Sequence, residues 1–322
     1  MELFLQLPGG NKLRWRSLTG TVQDKGVSNT YPMENSPDTP AETTVDTVTH
    51  PWTRYVAMGD SFTEGIGDPE PASPGGHRGW ADRVAEELSR GHNDFAYANL
   101  AVRGRLLQQI VDQQMAHCLS LKPDLITLSA GGNDLIRPGG DPDVLAEKLD
   151  SVVQILSLGG ATVVLFNGPD TGSTVLGRIR SKVAIYNENL RTIAARHDAV
   201  IADMWSLRQL NDPQMWNVDR LHFSPLGHHT IAAMVLDSLN VEHTLQPLSP
   251  KPLPQRSWRE ARSGDLVWAR EYFVPWVVRR LRHRSSGDGM TAKRPLAGPV
   301  FGPGVPLGSG EGPPGAEDAV RS

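Results

Sequence analysis

Between residues 54 and 239, short apolar runs alternate with stretches of helical period, and few folds accommodate that alternation. Arg54-Tyr55-Val56-Ala57-Met58 reads as a buried strand ending on Gly59. Further strands are predicted over 95–100, at Leu125-Ile126-Thr127-Leu128, at Thr162-Val163-Val164-Leu165-Phe166 and at Ala199-Val200-Ile201-Ala202. Helical periods fill the gaps over 79–90, 106–121, 143–158 and 179–197, and a last helix is predicted over 225–239. In the first of these, Trp80, Val84 and Leu88 share a face at i, i+4 and i+8. Strands separated by helices require right-handed crossovers. The expected fold is therefore one α/β domain, placed at 51–243, with a five-stranded, mainly parallel sheet covered on both faces.

The flanks differ. Residues 1–50 are polar, rich in Thr, Pro, Asp and Glu over 36–49, and without a sustained period. Such a segment buries too little apolar surface to offset its ordering entropy, so a disordered leader is predicted, with Met33 a candidate alternative start. The extension from 244 to 322 is rich in Pro, Gly and Arg. Within it, 266–281 carries Trp268, Tyr272, Phe273 and Trp276 beside Arg279 and Arg280. A basic amphipathic helix can lie on an anionic membrane. A helix packed on the domain is preferred here, because Pro275 interrupts the stretch and the net charge is -4. The tail after Ser285, with Pro295, Pro299 and Pro303, is predicted to be disordered.

Composition excludes several classes. With 39% hydrophobic and 21% charged residues the chain is of ordinary globular type, and a net charge of -4 does not suit a nucleic-acid binder. No apolar run is long enough to span a bilayer. Met1 to Leu7 lacks a basic n-region and breaks at Pro8-Gly9-Gly10, so a cytoplasmic location is expected. The single cysteine, Cys118, has no disulfide partner and is expected to pack on the apolar face of a helix. His228-His229 has no evident third ligand, so no metal site is predicted.

In an open parallel sheet, ligands meet the carboxyl ends of the strands, so the residues just after each strand carry the chemistry. After the first strand comes Gly59-Asp60-Ser61, after the second Asn99-Leu100-Ala101-Val102-Arg103-Gly104, and after the third Gly131-Gly132-Asn133-Asp134. Asp219-Arg220-Leu221-His222 lies between the fifth strand and the last helix. A serine hydroxyl needs a base to become a nucleophile, and His222 is the candidate base for Ser61. Asp219, three residues earlier, is expected to reach the other ring nitrogen through a single helical turn and to hold the tautomer. The backbone N–H groups of Ser61 and Gly104 and the side-chain amide of Asn133 are candidate oxyanion donors. Taken singly, each piece has a plainer explanation: Ser61 as a helix cap, Asn133 as a turn residue, Asp219 and His222 as a surface pair. Their order along one domain shifts the balance. Thr63, two residues after the serine, excludes the nucleophile elbow of α/β-hydrolases, which needs Gly there.

These four blocks resemble the GDSL/SGNH hydrolase family, over about residues 53–240. Ser61 matches in Gly-Asp-Ser, Gly104 in Asn-x-Ala-x-x-Gly, Asn133 in Gly-Gly-Asn-Asp, and Asp219 with His222 in Asp-x-x-His. Phe62 stands where the family name has Leu. The tail from Ser285 to Pro295 is similar to tails of actinobacterial members. The resemblance implies a three-layer α/β/α flavodoxin-like fold, no metal or organic cofactor, and hydrolysis of a small-molecule ester through an acyl-enzyme. The ester would be a lipid or an acetylated small molecule or sugar. An acyltransferase or thioesterase would use the same site, and a non-catalytic binding module is disfavoured by the intact set. The loops 67–79 and 167–171 are candidates to frame the acyl pocket.

Overall fold

The computed structural model describes residues 49–252, 258–275 and 285–300. The leader therefore lies outside the described residues except for Thr49 and His50, as does the end of the aromatic and basic stretch from 276. The elements run β1 (Arg54–Met58), α1 (Ser61–Glu64), α2 (Gly79–Leu88), β2 (Ala96–Asn99), α3 (Leu107–Ile110), α4 (Ala116–Ser120) and β3 (Leu125–Leu128). They continue with α5 (Gly132–Leu135), α6 (Pro142–Ser157), β4 (Thr162–Phe166), α7 (Arg180–His197), β5 (Val200–Ala202), α8 (Pro225–Ser238), α9 (Trp258–Trp268) and β6 (Arg294–Gly298).

The sheet order is β5-β4-β3-β1-β2-β6. Strands β1 to β5 pair in parallel, with Tyr55 opposite both Tyr97 and Leu125. Without β6, this is the doubly wound flavodoxin-like order, whose switch point lies between β1 and β3. Side chains alternate across the sheet as strand geometry requires. Tyr55 and Ala57 of β1, with Val164 and Phe166 of β4, enter one core, which α2 and α8 cover with Trp80, Leu88, Ile231 and Val235. Val56, Met58, Val163 and Leu165 enter the other, under α3, α4, α6 and α7. The result is three layers, helix on sheet on helix. Cys118 is buried in the second core, where burial pushes its thiol up to about 12.

Two expectations change. The helix expected over 106–121 contains a π-helical turn, Val111–Met115, between α3 and α4. The tail expected to be disordered from Ser285 instead carries β6, antiparallel to β2, so the sheet is mixed and has six strands. The physical reason is that β2 would otherwise be an edge strand with unpaired backbone groups, which a neighbouring segment of almost any composition can satisfy. Pro295, which has no N–H to give, is tolerated because β6 is itself an edge. His117 Nε2 donates to the Pro295 carbonyl at 2.6 Å, and the Arg294 guanidinium lies 5.4 Å from the Tyr97 ring centroid.

Candidate active site

The serine sits where β1 gives way to α1. Asp60 caps this short helix, its carboxylate accepting from Phe62 N–H at 3.1 Å, and Ser61 is the first helical residue. Burial pushes the Asp60 carboxyl up to about 6, opposed mainly by the Phe62 hydrogen bond. Chain reversal brings 216–223 back against this turn, with Trp216 bridging Phe223 and Asn217 Nδ2 donating to the Gly67 carbonyl at 2.9 Å. Gly67 permits the approach, because a Cβ there would collide with the Phe223 carbonyl oxygen.

In this arrangement Ser61 Oγ lies 3.0 Å from His222 Nε2, and His222 Nδ1 lies 2.6 Å from Asp219 Oδ2. Asp219 Oδ1 accepts the backbone N–H groups of Leu221 at 2.9 Å and His222 at 3.0 Å. The expected helical turn is thus replaced by an Asx-type turn, with Arg220 in the left-handed region at φ 57. Both geometries bring the carboxylate to the ring; the Asx turn also satisfies two backbone donors. Burial alone would raise the Asp219 carboxyl. The bonds from the His222 ring and from the two backbone N–H groups outweigh it and hold the group below the usual carboxylate range. An ionised Asp219 accepts only, so Nδ1 carries the proton and the Nε2 lone pair faces the serine hydroxyl.

The candidate oxyanion donors besides Ser61 come from the loops after β2 and β3. Asn133 opens α5 at the end of β3, across the switch point from the serine. Its Nδ2 donates to Asp60 Oδ2 at 2.8 Å and to the Arg105 carbonyl at 3.1 Å. Gly104 follows β2 with φ 73, a conformation glycine adopts without strain. Neither the Gly104 N–H nor the Ser61 N–H has an acceptor among the described residues.

Three supporting residues lie outside the sequence motifs. Glu64 on α1 is buried and binds Arg103, accepting from its backbone N–H at 2.7 Å and from its guanidinium, so the Gly104 loop is tied to the helix that carries Ser61. Gln114 projects from the π-helical turn and pairs with the peptide groups of Gly59, accepting from N–H at 2.9 Å and donating to C=O at 2.8 Å. Asn187 does the same for Gly168, at 2.7 and 2.8 Å. Only Gln114 leaves a sequence signal, as a polar residue on the stripe Leu107, Ile110, Cys118, Leu121.

A pocket of about 210 Å³ opens beside Ser61 and His222. Much of its lining is apolar, with Leu135, Ile136, Phe166, Leu176, Ile179 and Val183 among the residues that form it. Asn167, Gly168, Pro169 and Thr171 line it, in keeping with the expectation for 167–171. None of its lining residues comes from 67–79, which instead braces the domain through the buried Asp68–Arg83 pair. Neither histidine of α8 lines the pocket: His228 accepts from Trp80 N–H and packs behind Phe62 and Phe223, and His229 donates to the Gln246 carbonyl. Among the described residues no group of three His, Cys, Asp or Glu side chains is arranged to hold a metal ion. No helix among them is long and apolar enough to cross a membrane.

The described part of the C-terminal extension also reaches the site. Trp268 Nε1 donates to the Asp219 carbonyl at 3.0 Å, and Arg220 pairs with Asp265 at 2.8 Å while lying over the Trp268 ring. Leu266, Val267 and Val274 are exposed, so the contacts here are made by Trp268 and Asp265 and not by these three aliphatic side chains.

A model of the GDSL-like lipase/acylhydrolase family matches residues 57–230, a span that contains Ser61, Gly104, Asn133, Asp219 and His222. Similar solved structures include a protein described as a GDSL-like lipase from Parabacteroides merdae, 16% identical at a TM-score of 0.50, covering 58% of this chain and 95% of that one. A lipase/acylhydrolase from Enterococcus faecalis is 19% identical at a TM-score of 0.48, covering 59% and 98%. A variant of an acetyl xylan esterase from Geobacillus stearothermophilus is 17% identical at 0.49, covering 60% and 96%. No curated protein matches the chain.

Proposed function

This chain belongs to the GDSL-like lipase/acylhydrolase family and is a hydrolase of ester bonds, and from that premise we propose that it works through an acyl-enzyme on Ser61. The observation that carries the reading is the unbroken chain from Ser61 Oγ through the His222 ring to Asp219, at 3.0 and 2.6 Å. His222 Nε2 takes the hydroxyl proton as Oγ attacks the ester carbonyl carbon. The Asp219 carboxylate stabilises the imidazolium that results. The tetrahedral oxyanion is received by the Ser61 and Gly104 N–H groups. Asn133 Nδ2 joins them by exchanging its longer contact, to the Arg105 carbonyl, for the substrate oxygen. His222 then returns its proton to the departing alkoxide, leaving the acyl group on Oγ. Water, deprotonated by the same imidazole, attacks the acyl-enzyme, and His222 returns that proton to Ser61 Oγ as the acyl–Oγ bond breaks and the acid leaves. Each oxyanion donor of this kind is worth on the order of 3 kcal/mol of barrier.

The acyl group of the substrate occupies the apolar pocket. Its apolar lining of Leu135, Ile136, Leu176 and Ile179 favours an acyl chain longer than acetyl. A panel of p-nitrophenyl esters of rising chain length, run with wild type and Ser61→Ala, tests this. Turnover should depend on Ser61 and peak above the acetyl ester, and a fluorophosphonate should label Ser61. If wild type neither turns over any ester nor takes the label, the mechanism is wrong.

A further inference from the structure

Residues 285–300 lie beyond the span matched to the family, 57–230, yet their contacts converge on the peptide bond next to the candidate oxyanion hole. Ser285 Oγ donates to the Arg103 carbonyl at 3.3 Å and accepts from Gly287 N–H at 3.1 Å. Gly287 is packed so closely on the same carbonyl that a Cβ would collide with the Arg103 oxygen. That oxygen and the Gly104 N–H belong to one planar trans peptide and point in opposite directions. Holding the carbonyl therefore aims the N–H.

The peptide needs holding. Its rotation changes ψ of Arg103 and φ of Gly104, and glycine tolerates both signs of φ. Glu64 grips the Arg103 N–H and guanidinium, which lie on the other side of the Arg103 Cα and leave this rotation free. The turn that does the gripping is itself braced. Asp288 accepts from Ser285 N–H at 2.9 Å, and Arg105 donates to the Gly287 carbonyl at 3.2 Å. Downstream, the Lys293 side chain is buried, donating to the carbonyls of His77 at 2.9 Å and Arg78 at 3.0 Å and to the Asp82 carboxylate. From there β6 joins the sheet beside β2.

We infer that the 285–288 turn, anchored by Lys293 and β6, is a strap that sets the orientation of the Arg103–Gly104 peptide and so completes the oxyanion hole from outside the family domain. The inference rests on Gly104 being an oxyanion donor. Ser285 and Gly287 touch no substrate; they are positioning residues.

The test uses the full chain with Gly287→Ala, Ser285→Ala and Ser285→Thr, measuring kcat, KM, thermal melting and the rate of Ser61 labelling by a fluorophosphonate. Loss of one aimed donor costs about 10²–10³ in kcat; Gly287→Ala misaims this donor without removing it and should lose about 10- to 100-fold, with KM within about twofold. Labelling should slow by a similar factor, because the phosphoryl oxygen enters the same hole. Ser285→Ala should lose several-fold, and Ser285→Thr, which keeps the hydroxyl, should recover it. Should Gly287→Ala fail to fold, the serine pair decides alone. Folded variants with wild-type kcat, or with a change in KM only, overturn the strap. Absence of turnover and labelling in wild type overturns the site reading instead, so the two failures are told apart.

Discussion

Replacing Asp219 by Asn changes one atom and should nearly abolish turnover. Oδ1 of the residue accepts the Leu221 and His222 backbone N–H groups at 2.9 and 3.0 Å, and an amide oxygen can keep both bonds. The amide nitrogen is then forced into the place of Oδ2, 2.6 Å from His222 Nδ1. Two donors cannot face each other, so Nδ1 must give up its proton and Nε2 must take it. Ser61 Oγ, 3.0 Å away, now meets an N–H where it needs a lone pair. A tautomer reversal of this kind costs about 10⁴ in kcat. That factor corresponds to about 5.5 kcal/mol of barrier. The assay is steady-state hydrolysis of a p-nitrophenyl ester at neutral pH, with a thermal melt run in parallel. The melting temperature should change little, because the turn keeps its backbone bonds. Asp219→Ala removes the acceptor of those bonds but leaves the ring free to choose its tautomer. It should therefore be the less stable and the more active of the two. An Asp219→Asn enzyme that keeps more than about a tenth of wild-type kcat would refute the tautomer argument.

Other perturbations probe the frame around the site. His228 is buried, with Nδ1 accepting from Trp80 N–H at 3.2 Å and Nε2 donating to the Ile66 carbonyl at 3.2 Å, and burial lowers its pKa from 6.5 to about 4. The unfolded chain takes up this proton below pH 6.5 and the folded one does not. Stability from His228 is therefore complete above 6.5 and is lost as pH falls towards 4. The melting temperature of His228→Gln should fall less steeply over that range, and parallel curves for the two proteins would exclude His228 as the source. Gln114→Leu leaves the Gly59 N–H buried without a partner, at about 1–3 kcal/mol, and the Gly59 C=O with the Val102 N–H alone at 3.3 Å, and should lower both urea stability and kcat. Retention of wild-type kcat would show that Gly59 needs no clamp. Ile179→Trp fills part of the apolar lining of the pocket and should cost about 10-fold or more on long-chain esters while sparing the acetyl ester. An unchanged chain-length profile would place the acyl chain elsewhere.

The legible and the illegible parts of the sequence divide along a physical line. Ser61, Gly104, Asn133 and the Asp219–His222 pair are legible because each belongs to a local pattern. A parallel sheet then gathers at one edge the residues that come after its strands, without any knowledge of side-chain packing. The helices are legible for the same reason, since period and caps are local. Glu64 and Asn187 are not, because their work depends on which peptide group faces them across the fold. Gln114 is an intermediate case: its place in an apolar stripe is visible, but the π-helical turn that aims it at Gly59 is not. The tail is the instructive miss. Residues 285–300 carry too few apolar groups to order themselves, and composition alone therefore reads them as disordered. An edge strand, however, draws its stability from its neighbour's unpaired backbone, and a lone lysine draws its stability from the carbonyls and carboxylate that receive it. The order of the tail is thus held in β2, in Asp82 and in the carbonyls of His77 and Arg78, some two hundred residues upstream. A composition count over the tail itself cannot detect it, and the segment placed closest to the Gly104 peptide is the one that local pattern reading discards.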